Sequence, residues 1–186
     1  IEYLREAVTE HLAALRLEHG AVTVEGTPRR LAVLVDGVAP VQPDEERVIK
    51  GPPAKVAFDA EGRPTKAALG FARSNDVPVE RLEVRAYEGR EYVAAVQVEH
   101  GLPASQVLGP MVVELLNHMR FGMSMRWNES GVNFSRPIRW LVALLGEAVV
   151  PLVYAGVASS RVSRGIRPEG TPEFAVASAE AYAETV

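Results

Sequence analysis

Between residues 124 and 167 the chain reads SMRWNESGVNFSRPIRWLVALLGEAVVPLVYAGVASSRVSRGIR. Arg126, Arg136 and Arg139 precede an apolar stretch, and Arg161, Arg164 and Arg167 follow it. A guanidinium is a planar fork of donors that matches phosphate or carboxylate oxygens two at a time. Only Glu129 and Glu147 oppose the six arginines, so the segment carries +4 in a chain of net −4. A basic island in an acidic chain needs a reason, and an anionic partner is the first to consider. Spacing qualifies this. Residues three apart face opposite sides of a straight strand, so Arg136 and Arg139 converge only if the chain bends at Pro137. Arg161, Arg164 and Arg167 read as a loop or strand-end cluster. Each arginine has a second use, pairing with acids elsewhere in the chain, and at this level both uses stand open.

Other chemistries find less support. There is no glycine-rich phosphate loop and no Gly-x-Ser-x-Gly elbow. His11, His19, His100 and His118 lie on separate expected elements without metal-ligand spacing, and read as surface or helix-end residues. No residue is assigned as catalytic or metal-binding. The absence of cysteine excludes disulfides and thiolate metal sites and fits a cytoplasmic protein. No apolar run reaches the ~20 residues of a membrane span, so no membrane partner is expected. Seventeen of the twenty basic residues are arginine, which reads mainly as a compositional bias of the source.

The elements that must position the arginines follow from periodicity. Leu4, Val8, Leu12 and Leu15 recur at helical spacing, predicting a helix over 1–19 with Gly20 as its cap. Strands are expected at 21–25 and 30–38, the second apolar on both faces and therefore central. Residues 42–47 read as a polar connection, and Pro52-Pro53 as the end of any strand. A short helix is expected from 64 to about 74, with a further helical turn at 78–82. A hairpin pairs 83–87 with 92–98. Residues 103–120 form a second long helix, with Pro103 in its first turn and a kink at Pro110. Strands at 133–135, 139–145 and 148–154 follow, the last two joined at Gly146-Glu147, and a final strand at 161–164. The chain opens and closes in helical patterns, the second over 173–186, and reads as a fragment of a longer protein. Helices and strands mix without βαβ alternation. The fold class is therefore α+β, with mixed, mostly antiparallel sheets and two long helices. Residues 1–186 form one region, with a weak sub-boundary near 101–103.

Six ordered blocks carry a resemblance: TPRRLAVLV (27–35), KGPP (50–53), PTKAALGFAR (64–73), SMRW (124–127), FSRPIRWLVALLG (134–146) and RVSRGIR (161–167). Together they resemble the N-terminal region of the β subunit of bacterial tetrameric glycyl-tRNA synthetase. The resemblance implies a holoenzyme of two α and two β subunits. The α subunit would hold the catalytic site with its ATP and magnesium, and this region would hold no cofactor. It implies an α+β fold similar to an accessory domain of the phenylalanyl-tRNA synthetase β subunit. It also implies that a strand and a Gly-Thr-Glu-Glu-Leu-Pro segment precede the first helix in the family. The expected partners are the α subunit and tRNA(Gly). The expected role is accessory: tRNA handling through Arg126, Arg136, Arg139, Arg161, Arg164 and Arg167, with the fragment inactive alone. The alternative is a purely structural domain that docks on the α subunit or on later β domains without touching tRNA.

Overall fold

The structure, a computed structural model, describes residues 2–165, 170 and 172–186. It divides into two compact units, one of residues 1–42 and 102–186, the other of residues 43–101. Helices combine with mostly antiparallel strand pairs, an α+β arrangement as expected.

In the first unit, helix α1 (Glu2–Ala14) buries Leu4, Ala7, Val8 and Leu12. Its end is set by Arg16 rather than Gly20. Arg16 has φ of 56°, the Leu17 amide donates to the Leu12 carbonyl, and the Arg16 amide donates to that of Ala13. This is a Schellman end, and Leu17 buries itself against Leu12 as that motif requires. Gly20 instead donates to the Asp36 carbonyl, extending the next strand pair.

Strands β1 (Val22–Thr27) and β2 (Arg30–Val35) form an antiparallel hairpin. Thr27 Oγ1 accepts from the amides of Arg29 and Arg30 and so closes the turn. The expectation of a central second strand fails. Among the described residues β2 pairs only with β1, and Leu31 is 41% exposed. An apolar run on both faces does not distinguish a central strand from an edge.

α4 (Ala104–His118) runs unbroken through Pro110. It adds Ala104, Leu108, Met111 and Leu115 to the core formed by α1, Val24 and Val150. Gly109 is needed there, because a Cβ would lie 2.4 Å from the Pro151 carbonyl oxygen.

Beyond α4 the strands are short. β6 (Leu141–Val142) runs parallel to β10 (Val157–Ser160), which pairs antiparallel with β9 (Val153–Tyr154). β7 (Leu144–Leu145) and β8 (Ala148–Val149) close around Gly146, with φ of 54°. β11 (Val162–Arg164) pairs with β12 (Glu173–Ala175). The helical pattern over 173–186 is thus overridden by strand pairing, and only α5 (Tyr182–Thr185) is helical. Residues 133–135 contribute a single bridge, Met125 to Phe134, in place of a strand.

In the second unit, β3 (Glu45–Pro53), β5 (Arg90–Glu99) and β4 (Glu83–Tyr87) form a sheet in the order β3-β5-β4. β3 begins inside the stretch read as a polar connection. It ends at Pro53, within the proline pair expected to end it, after a register shift between Lys50 and Pro53. The β4–β5 turn has Glu88 and Gly89 both at positive φ, the two-residue geometry that matches strand twist. α2 (Ala54–Ala57) and α3 (Lys66–Ser74), the latter capped by Thr65, pack Ala57, Ala68 and Phe71 around Val93. Asp44 ties the two ends of the unit, accepting from the Gly101 amide and from His100 Nδ1. The amide bond first, then His100, holds its carboxyl below the usual carboxylate range.

Candidate nucleic-acid interface

The six arginines sort into two kinds of environment. The Met125–Phe134 bridge makes two backbone hydrogen bonds and brings SMRW beside FSRP. The Phe121 and Phe134 rings meet edge to face at 4.5 Å behind it. Arg126 and Arg136 flank this bridge. Arg139 lies just before β6, where the chain has left Pro137. All three are exposed. None makes an ion pair or side-chain hydrogen bond with another described residue. Arg126 and Arg136 beside the bridge, and Arg139 five residues beyond it, thus have no partner among the described residues to compete with an anion.

Arg161 and Arg164 are engaged internally. Arg161 donates through Nη1 to the Ala177 carbonyl at 3.0 Å and through Nη2 to the Glu147 carbonyl at 2.6 Å. One guanidinium thereby ties the β7–β8 turn to the segment after β12. Arg164 pairs with Glu173, its neighbour across the β11–β12 ladder, and its guanidinium lies 5.9 Å from the centre of the Trp140 ring. Its own carbonyl accepts from Arg30 Nη2. Arg30 also faces Tyr182, whose phenol burial pushes to higher pKa against the opposing pull of that guanidinium. Arg167 lies outside the described residues.

Between Arg161 and Arg164, Ser163 is fully buried and its hydroxyl finds no partner among the described residues. Sequence reasoning gave this position no weight. The carbonyls that Arg161 grips were equally invisible, since backbone acceptors carry no residue signature.

Elsewhere in the first unit, a groove of about 330 Å³ is lined by Tyr3, Glu6, Glu10, His11, Glu114 and His118. Its carboxylates would repel phosphate. His11 and His118 each engage, through Nδ1, the carbonyl four residues back. Among the described residues no cluster of three or more His, Asp or Glu side chains gathers as metal ligands. No helix among them is long and apolar enough to cross a membrane.

A family model for the glycyl-tRNA synthetase beta subunit matches residues 1–186. The chain is 48% identical over 185 residues to a chloroplastic/mitochondrial glycine–tRNA ligase of Arabidopsis thaliana, covering all of this chain and 17% of that protein. It is 44% identical to the glycine–tRNA ligase beta subunit of Desulfitobacterium hafniense, over 92% of this chain and 25% of the relative. The corresponding protein of Moorella thermoacetica is 42% identical, over 98% and 26%. The chain thus spans about a sixth to a quarter of the length of these curated relatives.

Proposed function

The chain belongs to the glycyl-tRNA synthetase beta subunit family, and from that premise we propose that it is an accessory, non-catalytic region of a glycine–tRNA ligase. It helps hold tRNA(Gly) by its backbone, while an α subunit supplies the aminoacylation site with ATP and magnesium. The assembly is two α and two β subunits in the cytoplasm. The observation that carries the tRNA reading is the set of exposed guanidinium groups, Arg126, Arg136 and Arg139, with no described partner. Contacts of this kind fix register on an RNA without reading its sequence. Arg161 and Arg164 drop from the binding set to the framework behind it.

The test is tRNA affinity of the α–β enzyme against salt, with each of the three arginines changed to alanine. Each lost phosphate contact is expected to lower the slope of log K against log salt by about 0.7–0.9. Unchanged affinity and slope would remove these residues from the tRNA surface.

A second reading has one observation in its favour. Met123 is 89% exposed and Met125 is 49% exposed beside the same bridge. Flexible thioethers suit a protein contact, so this loop would dock on the α subunit or on later β domains. Under that reading Met123→Ser weakens subunit association on a sizing column and leaves the salt slope of tRNA binding unchanged.

A further inference from the structure

The β3-β5-β4 sheet has two unlike faces. Cross-strand partners share a face, so the register places Lys50, Tyr92, Ala94, Val96, Val98, Arg85, Tyr87 and Arg90 on one side. The helices of the unit pack on the other side, against Val93 and over Gly51, where a Cβ would lie 2.6 Å from the Phe71 ring. No element of the second unit covers the first face. On this face Glu46, Lys50, Glu83, Arg85 and Arg90 surround two partly exposed tyrosines and a row of small apolar residues, of which Ala94 is fully buried and Val98 is 51% exposed.

The aromatic part is ordered. Tyr87 and Tyr92 meet edge to face at 6.1 Å. Lys50 Nζ stands 3.9 Å from the centre of the Tyr92 ring and 5.0 Å from that of Tyr87, with no carboxylate partner among the described residues. The register shift after Lys50 comes where bulges commonly re-aim a side chain. Arg90 sits across the ladder from Tyr87 and is exposed. Three cations face Glu46 and Glu83 on this side, and Glu83 is already bonded to Arg85. Lys50 and Arg90 are therefore available.

We propose that this face is a stacking platform for an unpaired nucleotide of RNA, with Tyr87 and Tyr92 taking the base and Lys50 and Arg90 the adjoining phosphates. Aromatic faces bind any base by stacking, and interleaved cations follow the backbone. The ammonium over Tyr92 holds the ring face until a base replaces it, and then moves to the phosphate. An exposed cation–π contact is weak enough for that exchange. The choice of RNA as occupant rests on the tRNA reading above. The platform itself rests on different residues in a different unit.

The experiment uses the full-length β subunit with its α partner and two labelled probes, octa-adenylate RNA and a blunt RNA duplex. Tyr87→Leu and Tyr92→Leu are each expected to weaken octa-adenylate binding by about 5- to 150-fold for a lost stack. Duplex binding should stay unchanged, and Tyr92→Phe should bind like the parent. Lys50→Gln, a surface change that leaves folding intact, should lower the salt slope for octa-adenylate by about 0.7. Parental binding by both leucine variants overturns the proposal. So does an equal loss on both probes, or loss of the α subunit on a sizing column, which would make the face a protein interface. Changing Arg126, Arg136 and Arg139 together should reduce duplex and tRNA binding and leave the tyrosine dependence of octa-adenylate intact. The two readings therefore fail separately.

Discussion

Two arginine groups in one basic segment look alike in sequence and differ in the folded chain. Arg136 and Arg139 are three residues apart, as are Arg161 and Arg164. The first pair is exposed and without a described partner. The second is spent on two carbonyls, a carboxylate and an indole ring. What separates them is the strand ladder. β11 has a partner, β12, which brings Glu173 opposite Arg164, and the neighbouring chain offers Ala177 to Arg161. The segment before β6 is held by the Met125–Phe134 bridge and by Asn128, which donates to the Ala155 carbonyl, and among the described residues it offers its arginines no partner. Local charge therefore marks a cationic segment, but only long-range pairing decides which of its cations are engaged within the fold.

Mutations that remove one group at a time test this contrast. Arg161→Ala has the largest expected effect. It deletes two charge-assisted hydrogen bonds and leaves the Ala177 and Glu147 carbonyls to solvent, costing about 1–3 kcal/mol of stability. Thermal melting should show the drop, and an unchanged midpoint would return Arg161 to the binding group. Arg164→Ala should cost less, about 1 kcal/mol, since its ion pair with Glu173 is partly exposed and its indole contact is distant. Trp140 fluorescence should change with it, while Arg164→Lys keeps the charge and part of the stability. Ser163→Ala should have the opposite sign, neutral to about 1 kcal/mol stabilising, because it removes a buried hydroxyl without a described partner. Chemical denaturation reads that difference, and a loss above 1 kcal/mol would show that the hydroxyl is satisfied.

The same division between local and long-range information explains what the sequence showed. α1, α3 and α4 were legible because their apolar periods are local, and the β4–β5 hairpin because its turn chemistry is. β3 was half hidden. Glu45, Glu46 and Arg47 look like a loop, and only their partners Glu99, Val98 and Gln97 make them a strand. The two-residue strands β6 to β9 came out as longer runs, since alternation does not show where a ladder ends. β12 was read as helix because the alanines of 173–186 favour one, and only pairing with β11 makes Glu173–Ala175 a strand. The helix-end error at Gly20 is of another kind. Glycine is the usual left-handed cap, but here Leu17 folding back on Leu12 places Arg16 in that position. At the candidate interface, residue type and charge singled out the arginines as one group, and nothing in the sequence divided them. Their division was not legible because two of the three acceptors that engage Arg161 and Arg164 are backbone carbonyls.

The smallest effect on stability is expected from the free group, and its smallness is the informative part. Arg126→Ala, Arg136→Ala and Arg139→Ala each remove an exposed cation with no described partner. Surface substitutions of this kind fall within about 0.5 kcal/mol. Melting curves should superimpose on the parent, in contrast with Arg161→Ala. If the three groups crowd one another near the bridge, removing one relieves repulsion and the midpoint rises slightly at low salt, an increment that fades as salt screens it. A ligand reverses the ranking. With tRNA bound to the α–β enzyme, the variants that leave stability untouched are the ones that lower affinity and salt slope, whereas Arg161→Ala lowers stability and leaves the slope alone. A variant that moved both quantities would mean that the segment around the Met125–Phe134 bridge is held in place by the same side chains that bind. The distinction between free and engaged arginines would then dissolve.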